Sequence, residues 1–272
     1  MQNFPISPRA MAGSLWHNRS LIWLLVVREV AGRYRGSILG ILWSFFNPVF
    51  MLAVYTFVFS VVFKARWGAS DESRAEFALI LFAGLLVFNL FVECINRAPM
   101  LILANINYVK KVVFPLEILP WVAFGAALFH ALVSLAVWLL FSFWVFGVPQ
   151  VTLLFFPLVL VPLGLLVMGL SWFLAALGVF LRDVVQLVGV MTTVLLFLTP
   201  IFYPVSAIPE RYRLFLHLNP LTFIVEQSRD LLIFGSGLAW GRLGLLTAFA
   251  FLVAWLGFAW FQKTRKGFAD VL

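Results

Sequence analysis

Charge is what this sequence has least of. Only 11% of its 272 residues are Asp, Glu, Lys or Arg, while 64% are apolar and the mean hydropathy is +1.06. Soluble proteins carry roughly a quarter charged residues, so the deficit excludes a cytosolic enzyme, a disordered linker and a coiled coil together. A polytopic membrane protein remains. Cysteine is almost absent as well: Cys94 stands alone, cannot close an intrachain disulfide, and reads as a small buried hydrophobe. His17, His130 and His217 lie far apart with no second ligand at metal-binding spacing, so no metal is expected. The chain also contains no Gly-Lys dipeptide, and a P-loop needs that lysine after its cradle of backbone amides. Neither ATP nor Mg is therefore expected on this chain. Apart from His130, the interiors of the apolar runs hold none of the acids, histidines or lysines that ion-coupled carriers use as relays. His130 itself, among Phe129, Ala131 and Leu132, reads as a hydrogen-bonded neutral core residue, and energy for any transport must come from a partner.

What is present is a series of long uncharged runs. About 20 apolar residues cross the roughly 30 Å of a bilayer's hydrocarbon as a helix. Residues 36–63 are 28 uncharged positions, enough for one span, and 77–96 supply a second if Glu93 sits at headgroup level. The 64 uncharged residues from Ile118 to Leu181 make two spans, 118–146 and 151–181, joined by the turn Gly147-Val148-Pro149-Gln150. Residues 184–202 and 243–262 complete six transmembrane helices. The 12 uncharged residues from Leu214 to Val225 are too short to span and are broken by Asn219-Pro220. Segment 203–240 is accordingly expected to form short re-entrant or interfacial helices on the outer side. Residues 1–35 read as a cytoplasmic N-terminus plus an amphipathic interfacial helix. In it Trp23, Val27, Val30 and Tyr34 recur at helical spacing, while Arg28, Glu29, Arg33 and Arg35 point elsewhere.

The net charge of +8 would suggest nucleic acid for a soluble domain, but here the cations flank apolar runs and act as topology signals. Twelve of the 19 basic residues fall on the side holding both termini and the loop 97–115, so both termini are expected to be cytoplasmic. The first twenty residues place Pro5, Pro8, Arg9, His17 and Arg19 where a signal peptide would be apolar, so insertion is expected to begin at the first span. No internal repeat or hydrophilic domain is evident, and the chain is expected to be one transmembrane domain.

Few residues suggest chemistry. Glu226 and Asp230 would share a helix face, a pairing that could serve acid–base work, but Arg229 beside them favours an ion-paired helix end at the outer interface. Asn47-Pro48 either kinks the first span or is a tolerated membrane proline. Lys110-Lys111 followed by Phe114-Pro115 sets cations and a ring on a short cytoplasmic element, suited to docking or simply to anchoring topology. Aromatics are 17% of the chain and suit the C–H-rich faces of sugar rings. On the first span Phe50, Val54 and Phe57 form an apolar face, whereas Ser44, Tyr55, Thr56, Phe59 and Ser60 mix rings with hydroxyls and are the candidate conduit lining.

Several segments together resemble a known family. These are Leu25-Val26-Val27-Arg28-Glu29 through Arg33-Tyr34-Arg35-Gly36-Ser37-Ile38-Leu39-Gly40, Leu42-Trp43, Asn47-Pro48 and Val54 to Ser60. They continue with Asn107 to Pro120, Leu181-Arg182-Asp183-Val184-Val185-Gln186, Thr199-Pro200-Ile201-Phe202-Tyr203-Pro204, Asn219-Pro220-Leu221-Thr222 and Arg229. In that order they resemble the membrane subunit of type 2 ABC transporters that export O-antigen, capsule or teichoic acid, over residues 20–262. The resemblance implies two copies of this chain and two of a separate ATPase that carries the ATP and Mg. It implies docking of that ATPase on 97–115, with Asn107, Lys110, Lys111, Phe114 and Pro115 as the coupling residues. The interfacial helix would act as a gate through Trp23, Arg28, Arg33, Tyr34 and Arg35, and the substrate would be a lipid-linked polysaccharide moved across a bacterial cytoplasmic membrane. Exporters of lipo-oligosaccharides or drugs share the general architecture. A membrane-embedded transferase acting on a lipid-linked glycan and a purely structural scaffold are the readings from other classes.

Overall fold

The computed structural model describes residues 4–58, 67, 73–110 and 114–272. Among these the chain is all α-helix and 3-10 or π turns, with no strand. Two short helices, α1 (Pro8–His17) and α2 (Arg19–Tyr34), precede α3 (Trp43–Tyr55) and α4 (Arg74–Arg97). A compact turn region carries α5 (Ile106–Lys110), and α6 (Leu119–Phe146) and α7 (Phe156–Phe180) form a long antiparallel pair. Then come α8 (Val184–Leu198), α9 (Glu210–Leu218), α10 (Pro220–Arg229), α11 (Trp240–Thr264) and α12 (Phe268–Val271).

The ends of these helices follow from local chemistry. Ser7 caps α1 by accepting from the Ala10 amide, with Pro8 in the first turn where its missing N–H costs nothing. Ser73 and Glu76 close a capping box at the start of α4. Gly147, at φ 78°, ends α6 in a conformation that a side chain would resist.

Among the described residues, five helical segments are long and apolar enough to cross a membrane: 40–58, 75–100, 116–146, 151–180 and 240–271. The fifth expected span, 184–202, is shorter than the sequence suggested. Its helix α8 has 15 residues, about 22 Å at 1.5 Å per residue, because Leu181 and Thr199 are extended and Pro200 cannot continue the helix. Pro48 lies inside α3 without interrupting it, and leaves the Ser44 carbonyl without its usual amide partner four residues on.

α4 is the central helix. From Phe77 to Phe91 every residue is buried except Asn89. Trp138 of α6 fixes the neighbouring helix by donating to the Leu79 carbonyl at 3.0 Å. Cys94 packs into this core, 1% exposed, as expected of a thiol used as a hydrophobe. By contrast α3, though apolar, buries only Leu52.

α7 and α11 pack through glycine. A Cβ on Gly257 would sit 2.0 Å from the Gly169 carbonyl oxygen, and one on Gly169 would sit 2.5 Å from that of Val253. Such backbone-to-backbone approach substitutes for hydrophobic drive where lipid surrounds the bundle. Replacing Gly257 with Val should therefore exceed the roughly 1–3 kcal/mol usual for overpacking, because backbone rather than a movable side chain is in the way. Thermal unfolding of the detergent-purified protein should show a clear drop in midpoint, whereas Gly241→Ala, in open space, should show none.

Side-chain contacts sort the two ends of the bundle. Trp255 Nε1 donates to the Ile6 carbonyl, Arg265 pairs with Glu117, and Lys110 Nζ donates to the Leu272 carbonyl, so both terminal segments meet the 97–118 region at one end. At the other end Thr152 donates to the Leu231 carbonyl, and Arg229 reaches the Ile80, Pro200 and Ile201 carbonyls.

Candidate functional site

The face of α2 that packs on α6 is Ile22, Leu25, Val26 and Val30, against Ile118, Val122 and Ala126. This differs from the expected stripe: Trp23 and Val27 point away and are 70% and 49% exposed. Both sides of α2 are apolar enough to have served, and Gly125 decides, since the Val26 side chain occupies the place its Cβ would take. Docked this way, α2 turns Glu29 and Arg33, one helical turn apart, toward α4.

There they meet Glu93 and Arg97, also one turn apart. Arg33 pairs with Glu93, Arg97 pairs with Glu29, and Arg97 Nη1 lies 3.9 Å from Glu93 Oε1. His130 of α6 completes the cluster, its Nδ1 2.9 Å from Glu93 Oε1 and 3.2 Å from Arg33 Nη1. The ring is therefore hydrogen-bonded, as read from the sequence, but to an ion pair instead of an apolar core. Its Nε2 is buried with no partner among the described residues. Two guanidinium groups thus face two carboxylates, and the charges balance.

This network borders a cavity of about 830 Å³ between α2, α3, α4 and α6. Each helix gives it one stripe: Glu29, Arg33 and Tyr34 from α2; Ser44, Asn47 and Tyr55 from α3; Asn89, Glu93 and Asn96 from α4; His130 and Ser134 from α6. Of the candidate conduit residues, Ser44 and Tyr55 line this space, Thr56 does not, and Phe59 and Ser60 lie outside the described residues. Of the gate residues, Arg33 and Tyr34 line it, while Arg28 and Arg35 face a neighbouring groove with Gly40 and Ile41. Glu93 and His130 were not singled out as site residues, because their partners are remote in sequence; Asn89 was missed because it stands in an uninterrupted apolar run.

Next to this cluster Tyr108 and Phe114, the latter one of the candidate coupling residues, form a compact platform. Phe114 stacks on Tyr108 with ring centroids 4.2 Å apart, and the Tyr108 hydroxyl accepts from Arg28 of α2 at 3.0 Å. Arg265 donates to the Phe114 carbonyl and to Glu117, tying α11 to the same platform. Asn107 and Lys110 are exposed, Pro115 is half-buried, and Lys111 lies outside the described residues.

The polar cluster around Arg229 is not the ion-paired helix end expected. Arg229 is 2% exposed and donates to three backbone carbonyls at 2.6–3.0 Å, with Trp67 stacked over it at 4.2 Å and Gly84 giving it room. Burial pushes its guanidinium down to about 9, which leaves it charged at neutral pH, and burial pushes the Glu226 and Asp230 carboxyls up. Asn219 caps α10 and donates to Thr199, so Thr199-Pro200, Asn219-Pro220 and Arg229 meet as one lock.

A helical bundle of this apolarity, carrying a charge-balanced polar cavity and lacking a phosphate-binding loop, is a multi-pass membrane protein of the transport class. Residues 20–233 match the ABC-2 type transporter family, and the chain belongs to it. It is 29% identical to the O-antigen export system permease protein RfbA of Myxococcus xanthus over 259 residues, covering 94% of this chain and 96% of that one. It is 26% identical to a Klebsiella pneumoniae protein of the same name, over 93% and 95% of the two chains. The polysialic acid transport protein KpsM of Escherichia coli is 25% identical over 89% and 92%.

The paired charges give a direct test of how α2 is held. Glu29→Arg should lower the thermal midpoint of the purified protein, and so should Arg97→Glu. The double exchange should recover most of the loss, with a coupling energy within the roughly 0.5–3 kcal/mol typical of contacting residues. Additive losses in the double variant would mean that the two side chains do not hold the helix together.

Proposed function

We propose that this chain is the membrane subunit of an ATP-driven exporter that moves a lipid-linked polysaccharide, of the O-antigen type, across a bacterial cytoplasmic membrane. The single observation that carries the reading is full-length similarity to permeases whose names specify O-antigen export, in a chain with no P-loop of its own. Energy then comes from a separate ABC ATPase, in two copies, bound to a homodimer of this chain. ATP and Mg belong to that partner.

In this arrangement six segments cross the membrane, with α8 as the short fifth crossing and α9 and α10 as re-entrant outer helices. Both termini face the cytoplasm, in keeping with the twelve-to-seven split of basic residues. The exposed apolar flank of α3 then faces lipid or the second copy. The platform around Tyr108 and Phe114 docks the ATPase, and its movement on nucleotide binding passes through Arg28 to α2. α2 carries that movement to the cavity through Arg33 and Glu29.

Removal of the chain from its host should abolish surface polysaccharide while the glycan accumulates inside, and complementation should restore it. Full surface polysaccharide without the chain would overturn the assignment. Within the complex, Lys110→Glu with Lys111→Glu should weaken ATPase association and stop export. Tyr108→Phe, which removes only the acceptor for Arg28, should leave association intact and slow export by about tenfold, equivalent to 1.4 kcal/mol. Copurification and glycan export measured side by side separate these two outcomes.

A further inference from the structure

The cavity between α2, α3, α4 and α6 has a chemical gradient along its length. At one end lie the four charges of Glu29, Arg33, Glu93 and Arg97, near the ends of α2 and α4 that adjoin the platform. Asn89 lies one turn along α4 from Glu93, about 6 Å deeper at 1.5 Å per residue, and two turns from Arg97. Tyr55 lies eleven residues beyond Ser44 on α3, about 16 Å deeper by the same rise. The deep part of the wall is therefore amide, hydroxyl and ring, without charge.

Asn89 is the anomaly. It is the one exposed residue in an otherwise buried stretch of the central helix, and its side chain has no hydrogen-bond partner among the described residues. Asn47 faces the same cavity from α3 and is likewise unpartnered among them. An amide placed in a membrane-embedded helix without a partner is costly unless water or a ligand satisfies it. Next to Asn47, Pro48 also frees the Ser44 carbonyl as an acceptor.

The charges, in contrast, are already committed. An anionic group such as a phosphate or an acidic sugar would have to displace Glu93 or Glu29 to reach either arginine, at the cost of leaving a carboxylate uncompensated. What the free groups match is a ligand with many neutral donors and acceptors and a C–H-rich face for Tyr55.

We propose that this cavity within each subunit is a binding site for uncharged sugar units, with Asn89 and Asn47 as its hydrogen-bonding contacts and Tyr55 as its ring wall. The proposal rests on the glycan-export reading and deepens it: the site favours neutral over acidic segments of the exported glycan.

The test uses the complete transporter in cells that make their own glycan, labelled metabolically with a tritiated hexose. A photo-crosslinking amino acid is placed at position 89 or 47, and at Leu245 of α11, which points outward and is 76% exposed. Tritiated glycan should crosslink at 89 and 47 and not at 245. In parallel, Asn89→Leu should slow export by about tenfold, the effect of one or two lost hydrogen bonds, and Asn89→Gln should restore much of it. Crosslinking of phospholipid alone, no crosslink in cells that export normally, or wild-type export by Asn89→Leu would each overturn the assignment of the cavity. If cells lacking the chain lose surface glycan while 89 and 47 stay unlabelled, only the cavity assignment falls. If such cells keep their surface glycan, the export reading falls with it.

Discussion

The guanidinium of Arg33 is the point on which the platform end of this bundle turns. It belongs to α2, pairs with Glu93 of α4, and lies beside His130 of α6, so three helices meet at one charge. A carboxylate near the end of a membrane helix needs a compensating cation, and the nearest available ones lie on α2 and on the last turn of α4 itself. Holding α2 against α6 and α4 in this way keeps it from closing over α3. The space left between them is the polar cavity. The same helix reaches the Tyr108 hydroxyl through Arg28, so one rigid element touches both the platform and the cavity wall. Any displacement of the platform has a short physical route to Arg33.

The other end of the bundle is built on the opposite principle. Arg229 satisfies carbonyls from α4 and from the turn after α8, and Asn219 ties the start of α10 to Thr199. These are hydrogen bonds from a buried side chain to fixed backbone, with Gly84 cleared to admit the guanidinium. Breaking them would strand the Pro200 and Ile201 carbonyls, which lie outside any helix, each at a desolvation cost of about 1–3 kcal/mol. The ion pairs at the platform end join side chains that keep about a third or more of their surface exposed in three of four cases, whereas Arg229 is 2% exposed.

Much of this was legible in the sequence because the bilayer imposes length and apolarity on helices. Five of the expected spans have helices of full length, and Cys94 is buried as its isolation suggested. The length of α8 was misjudged because uncharged residues continue to Pro209, and only the extended Leu181 and Thr199 reveal where the helix stops. The role of His130 was hidden for a different reason: its partners, Glu93 and Arg33, are 37 and 97 residues away, and composition around a histidine reports its neighbours in sequence, not in space. Arg229 was misread because Glu226 and Asp230 are near it in sequence, whereas backbone carbonyls, which leave no trace in composition, are what it binds.

The balance of charge around the cavity bears on how a long polymer could pass it. An arginine free to clamp a phosphate or carboxylate would hold that segment by charge-assisted bonds, roughly twice as strong as neutral ones, and each repeat unit would have to be pulled away from it. With both arginines engaged by Glu29 and Glu93, what remains are neutral hydrogen bonds of about 1 kcal/mol net, exchangeable one at a time with water or the next sugar hydroxyl. On the proposed reading, the ion pairs hold α2 in place and, by the same contacts, keep the cations from gripping the substrate. A carboxylate lost from this cluster would therefore do two things at once: loosen the helix and expose a cation in the path, and an acidic glycan would be retarded more than a neutral one of equal length.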